Sequence, residues 1–211
     1  MNLVENLIQE GWLKTFGIIE AFRKIKRIDF LLEDLKDLAE LNEALPIDYG
    51  QTISQPLVVA FMLEQLQPQP KDKILDVGSG SGWTTALLAE IVGNEGKVIS
   101  IDIVPELVEF GKTNVAKYSF IEKGTVEFVC ADGSKGYPKM ASCPELAEGF
   151  DKILVSASAQ KCFPAWKEQL KVGGRIVASI GSSIWVFIKK SQSEFGEIEY
   201  PGFAFVPLIV K

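Results

Sequence analysis

Residues Lys73–Glu90 read KILDVGSGSGWTTALLAE. Ile74, Leu75 and Val77 give this stretch the apolar character of a buried strand, and Gly78, Gly80 and Gly82 follow at alternate positions. Glycines at such a bend allow positive φ and a close approach of backbone to a ligand. The run Trp83–Val92 then has the character of a helix. The start of a helix presents unpaired N–H groups and a partial positive charge, a natural seat for an anionic group. A second apolar strand, Lys97–Ile101, ends on Asp102. Strand, glycine bend, helix, strand and terminal acid together spell a nucleotide-binding half, with the acid placed for ribose hydroxyls.

Outward from this centre, the chain alternates. Upstream, Leu3, Val4, Leu7 and Ile8 share one helical face, Ile18, Ile19, Phe22 and Ile25 another, and Leu31–Leu38 suggests a short third helix. Asn42–Gln55 carries Pro46 and Gly50 without a helical period and reads as a loop; Pro56 opens a helix to about Leu66. Downstream, a helix from Pro105 toward Lys117, a strand at 126–130, a loop at Ala131-Asp132-Gly133, a strand at 152–155, a short helix from Pro164 to Leu170 and, after a turn at Gly173-Gly174, a strand at 175–180 follow in order. Strands alternating with helices predict a parallel sheet covered on both faces. After Gly181 the segments IWVFIKK and FAFVPLIV, separated by a glycine- and acid-containing turn, predict antiparallel strands at the C-terminal edge. The expected fold class is α/β, a doubly wound and mostly parallel sheet in one domain over 1–211. Its parts are a helical lead-in and covering loop (1–55), an α/β core (56–181) and a C-terminal β segment (182–211).

The chain has 211 residues, 47% of them hydrophobic, which is enough for one sizeable core. Its net charge is −6 and it shows no basic run, so nucleic acid is not an expected partner. The complete lack of histidine removes Ser-His-Asp and Cys-His nucleophile chemistry and every histidine-ligated metal site, and no metal is expected. Cys130, Cys143 and Cys162 are widely spaced and odd in number; they read as small buried apolar residues in a reducing compartment. With no basic-then-apolar leader and no run of membrane-spanning length, a soluble cytoplasmic protein is expected.

The ligand on the glycine bend is narrowed by Asp76. A pyrophosphate beside this carboxylate would be repelled, whereas the ammonium of an amino-acid moiety would be attracted. S-adenosylmethionine carries that ammonium and a sulfonium, and has no phosphate. A nicotinamide dinucleotide would suit the bend but not Asp76. Each acid also has a local alternative: Asp76 bonding nearby backbone, Asp102 capping the helix at Pro105, and Asp132-Gly133 forming a plain turn rather than lying beside an adenine ring.

A longer stretch is more discriminating. LPIDYGQTISQPLVVAFMLEQL, residues 45–66, with its core Gly50-Gln51-Thr52-Ile53-Ser54-x-Pro56, resembles the protein-L-isoaspartate O-methyltransferase family. The resemblance continues through IEAFRKIKRIDFL upstream, then LDVGSGSGW, ISID, CADGSKGYP, FDKILVSASAQKCFPAWKEQLKVGGRIVASIG and the terminal FVPL. It implies a seven-stranded Rossmann-like methyltransferase fold with an N-terminal helical extension. It also implies methyl transfer from S-adenosyl-L-methionine, leaving S-adenosyl-L-homocysteine, to the free α-carboxylate of L-isoaspartyl residues in damaged proteins and peptides. By motif, Ser54 becomes the catalytic candidate that orients the acceptor carboxylate, supported by Thr52. Gly50, Asp76, Gly78, Ser79, Gly80, Asp102, Ile103, Asp132 and Gly133 become cofactor contacts, and Val206 and Leu208 substrate contacts. The chain departs from the family pattern at Leu57-Val58-Val59, at Ser179-Ile180-Gly181 and at Ile209. A cofactor-binding module of the same fold that acts through a partner is the alternative, and a monomer is the expected state.

Overall fold

A computed structural model describes residues 2–138 and 144–211. The chain begins with α1 (Leu3–Gln9) and α2 (Phe16–Lys24), then two tight helical turns, Arg27–Phe30 and Glu33–Leu38. The expected third helix over Leu31–Leu38 is thus a short 3₁₀ stretch, since so few residues rarely sustain an α-helical nucleus. A two-residue hairpin, β1 (Leu45–Pro46) and β2 (Thr52–Ile53), interrupts the predicted loop, and α3 (Pro56–Leu66) follows. The core alternates β3 (Lys73–Val77), α4 (Trp83–Val92), β4 (Lys97–Asp102), α5 (Pro105–Ala116), β5 (Val126–Cys130), β6 (Phe150–Ala159), α6 (Pro164–Gln169) and β7 (Leu170–Ile180). β8 (Ser183–Lys189) and β9 (Phe195–Pro201) complete a seven-stranded sheet of order β5-β4-β3-β6-β7-β8-β9. The five strands from β5 to β7 run parallel, while β8 and β9 pair antiparallel, which is the predicted fold class.

Because side chains alternate across a strand, neighbouring residues feed separate cores. Ile74, Val98, Leu154 and Val177 pack on one face with the N-terminal helices, α3 and α4. Leu75, Ile99, Ile153 and Ile176 pack on the other with Trp166 of α6 and Phe150.

Three further details differ from the sequence reading. The second antiparallel strand is FGEIEYP, the stretch read as a turn, and not FAFVPLIV. An edge strand with both faces largely in water needs little apolar character. The apolar tail is apolar for a different reason, described below. Gly173-Gly174 does not precede β7 but lies within it, at a bulge where the pairing jumps from Phe150↔Leu170 to Lys152↔Arg175. Of the cysteines, Cys130 is exposed and Cys162 half-buried, so neither is the fully buried residue expected; Cys143 lies outside the described residues.

Gly82, the N-cap of α4, has φ 83°, and a Cβ there would meet Gly111 O and Val115 Cγ2, each at 2.9 Å. Gly181 has φ 59° with open space at its Cβ position. Gly82→Ala is therefore expected to lose more than the ~1–2 kcal/mol of a left-handed L-residue, and Gly181→Ala no more than that. Urea denaturation midpoints of the two variants check this order.

Candidate active site

Parallel pairing of Val77 with Ile101 ends β3 and β4 side by side, so the glycine bend emerges next to Asp102. Gly78 and Ser79 donate their backbone N–H groups to Ile101 O at 2.8 and 3.2 Å, and Gly80 N–H donates to Asp102 Oδ2 at 3.0 Å. The other carboxylate oxygen, Oδ1, accepts from Val104 N–H at 3.1 Å. Asp102 thus fixes the bend and the entry to α5, and each of its oxygens keeps a lone pair for a ligand. Around this point a cleft opens at the carboxyl ends of the strands, where open α/β sheets bind ligands. Its floor is Val77, Gly78–Ser81, Ile101–Val104, Gly133, Ser156 and Ala157, with Trp83, Thr84 and Leu107 at the side. Its roof is Gln51–Ser54 from the hairpin and Val206–Ile209 from the tail.

Most sequence-predicted residues meet here: Thr52, Ser54, Gly78, Ser79, Gly80, Asp102, Ile103, Gly133, Val206 and Leu208 all line the cleft. Gly50, Asp76 and Asp132 do not. Gly50 lies in the hairpin turn Asp48-Tyr49-Gly50, where all three residues have positive φ. Asp132 sits behind Gly133; its carboxylate accepts from Ser134 N–H and Oγ–H and from Lys211 N–H. Burial opposes its charge, but the Ser134, Lys211 and Lys135 donors outweigh that and hold the carboxyl below its ordinary value. Asp76 is fully buried beneath the bend. Its Oδ2 accepts from the Thr85 hydroxyl at 2.7 Å, and that hydroxyl also meets Ser100 Oγ at 2.9 Å. Burial pushes the Asp76 carboxyl up to about 7, with Thr85 opposing and the charge of Asp102 adding to the rise.

Beyond the roof a second cavity of about 450 Å³ adjoins the cleft. Thr52, Ser54, Ser156, Val206 and Pro207 line both, so the hydroxyls of Thr52, Ser54 and Ser156 stand at the junction. The tail is a strap across the end of β6, not an edge strand. Ser158 N–H donates to Val206 O at 2.8 Å, Leu208 N–H to Ser158 O at 2.9 Å and Lys211 N–H to Asp132 Oδ2 at 3.0 Å. Val206, Leu208 and Ile209 line the cleft, Phe205 lines the second cavity and Phe203 stacks on Phe61, which explains a composition that imitates a strand. Asp102 is the single charged residue among the described residues lining either cavity.

Three contributors escape a sequence reading. Ser156 could have been found from its place at the end of a central strand. Trp83 looks like an ordinary helix residue. Arg27 closes the segment RKIKR, where a solvated cation would be expected, yet it is 5% exposed and donates to the carbonyls of Leu41 (2.9 Å), Glu43 (2.6 Å), Ala39 (3.3 Å) and Ser54 (3.5 Å). Burial lowers its guanidinium to about 10, with Glu40 opposing, so it stays charged at neutral pH. Arg27 thereby ties the lead-in to the segment that carries Ser54.

Comparison with known proteins points one way. Residues 1–211 match the family described as Protein-L-isoaspartate(D-aspartate) O-methyltransferase (PCMT). The protein-L-isoaspartate O-methyltransferase of Methanopyrus kandleri is 39% identical, with 98% of this chain and 89% of that protein covered. That of Thermococcus sibiricus is 40% identical, with 99% and 92% covered. A crystal structure from Plasmodium falciparum, assigned as a protein-L-isoaspartate O-methyltransferase in complex with S-adenosyl-L-homocysteine, superposes with TM-score 0.87. It is 23% identical to this chain and covers 99% of each, so it speaks for the fold.

Asp76 gives a pH signature. Its carboxyl titrates near 7 when folded against 3.8 as its ordinary value, so the folded state binds the proton more tightly. This contribution to stability is complete below pH ~4 and is lost as pH rises through about 7. Asp76→Asn, which keeps an acceptor for Thr85, is expected to flatten that decline, by up to about 1.4 kcal/mol for each pH unit between the two values. Denaturation curves from pH 4 to 8 check it.

Proposed function

Because the chain belongs to the protein-L-isoaspartate O-methyltransferase family, we propose that it is a protein repair methyltransferase. It moves a methyl group from S-adenosyl-L-methionine to the free α-carboxylate of L-isoaspartyl residues in damaged proteins or peptides. One observation carries this reading: a cleft built on the glycine bend and Asp102 meets a second cavity at a junction lined by hydroxyls. The cleft fits the cofactor. Asp102 has lone pairs left for ribose hydroxyls, Ile101, Ile103 and Leu107 offer apolar walls, and the Ser79 hydroxyl is buried with no partner among the described residues. When bound, the cofactor supplies the electrophilic methyl group on its sulfonium.

The residues need to supply little else. An α-carboxylate has an ordinary pKa of about 3.5, so at neutral pH it is already an ionised nucleophile and requires no general base. A chain without histidine, and cavities lined among the described residues by no lysine or arginine, suit that chemistry. Ser54 and Thr52 donate hydroxyl hydrogen bonds that hold the acceptor carboxylate in line, and the tail at Val206 and Leu208 walls off water. Positioning of this kind supplies on the order of 7–11 kcal/mol of barrier lowering. Asp76 acts from below through Thr85, and Asp132 by anchoring the end of the strap. Lead-in, core and tail all contribute to one cleft, which supports a single functional unit over 1–211. The partners are isoaspartyl-containing proteins and peptides. We further place the protein in the cytoplasm as a monomer without nucleic-acid partners. Among the described residues, the free thiols of Cys130 and Cys162 fit a reducing compartment, and no helix is long and apolar enough to cross a membrane.

Methyl transfer from labelled cofactor to an isoaspartyl peptide, and none to its aspartyl twin, is the expected result; equal labelling of both, or of neither, overturns the reading. Ser54→Ala is expected to lower kcat/KM about tenfold to a hundredfold with S-adenosyl-L-homocysteine affinity unchanged. Asp102→Ala is expected to weaken that affinity by about tenfold, measured by calorimetry.

A further inference from the structure

Trp83 opens α4 immediately after Gly82, which provides no side-chain cap. The residue is 3% exposed and is one of those lining the cleft. The indole Nε1–H has no hydrogen-bond partner among the described residues. Buried donors are rarely left unpaired, so an orphan of this kind marks a ligand position or a stored strain. The fold does satisfy an indole elsewhere: Trp166, equally buried, donates Nε1–H to Gly133 O at 2.7 Å. In the adjoining floor of the cleft the hydroxyl of Ser79, a residue 5% exposed, is also unpaired among the described residues. The first-turn backbone N–H groups of α4, which precede the helix's own carbonyl acceptors, complete a surface made of donors.

We propose that the indole N–H of Trp83 donates to the carboxylate at the amino-acid end of the bound cofactor, alongside the Ser79 hydroxyl. The inference rests on the cofactor reading given above and adds a residue to it. An array of donors at a helix N-terminus is complementary to an anion, and the carboxylate is the cofactor's single anionic group. With Asp102 receiving the ribose, the assignment also fixes which way the ligand lies, amino-acid end toward α4.

The N-terminal lead-in gives this donor its direction. Phe22 of α2 packs edge-on against the indole at 5.6 Å and 71°. The Arg27 guanidinium lies over the ring at 5.5 Å, itself held by the carbonyls of Leu41 and Glu43. An indole gripped on ring edge and face cannot swing its N–H away, so the donor is oriented before the ligand arrives. The cation on the ring also favours an anion nearby.

The test compares S-adenosyl-L-homocysteine with 5′-methylthioadenosine, which has the same nucleoside and thioether but no carboxylate. In calorimetry, Trp83→Phe is expected to weaken S-adenosyl-L-homocysteine by about tenfold while 5′-methylthioadenosine stays within twofold. In ¹⁵N–¹H spectra of the unaltered protein, the indole signal of Trp83, identified by its loss in the variant, is expected to move with the first ligand and not with the second. Equal losses for both ligands, unchanged affinity for S-adenosyl-L-homocysteine, or an indole signal that does not move overturns the proposal. If the unaltered protein binds neither nucleoside, the cofactor reading itself falls, and this inference with it.

Discussion

Everything at the site depends on how the bend Gly78–Gly82 is fastened to the end of β4. A loop with positive φ at three glycines has no rigidity of its own. It becomes rigid because Ile101 O takes two of its N–H groups and Asp102 takes a third. Parallel register delivers those acceptors, since Val77 and Ile101 stand opposite each other. Asp102 does double service. Its carboxylate holds the bend from one side and the start of α5 from the other, while turning its remaining lone pairs to the cleft. The acid proposed to receive the ribose and the structural pin are therefore one residue.

The rest of the cleft is assembled on that frame by elements remote in sequence. The roof comes from the hairpin before α3 and from the last residues of the chain. Arg27 holds the first of these, satisfying four carbonyls with one buried guanidinium. A buried cation is tolerable when its N–H groups are met by oriented dipoles, and here the carbonyls of Ala39, Leu41, Glu43 and Ser54 meet Nη1 and Nη2, while Nε–H has no partner among the described residues. The strap is held by Ser158 and by Asp132, whose oxygen receives Lys211 N–H. The N-terminal helices are thus part of the site's framework and not a passive extension.

The electrostatics match a reaction that moves no proton. Among the described residues the cavities carry one acid and no base, and the chain has no histidine. What distinguishes the junction is a set of neutral hydroxyls, Thr52, Ser54 and Ser156, able to orient a carboxylate without trapping it in an ion pair. Asp76 sits one layer below, where burial, with a smaller push from the charge of Asp102, raises its carboxyl and Thr85 is its hydrogen-bond partner.

The sequence by itself determined the alternating α/β core, because period-two apolar runs, glycine bends and helix-opening prolines are local signals. It also marked Asp102, Gly78–Gly80 and the Thr52–Ser54 segment, since these lie in continuous motifs. Local signals gave the wrong strand at the edge, where polar FGEIEYP pairs and apolar FAFVPLIV straps, because hydrophobicity reports burial and not the neighbour that supplies it. Only the tertiary structure decided that Asp76 lies under the bend and not on the cleft wall, that Arg27 is buried, and that the Trp83 N–H has no partner among the described residues. Each of these depends on contacts across tens of residues, and no spacing along a chain encodes which donor will be left without an acceptor.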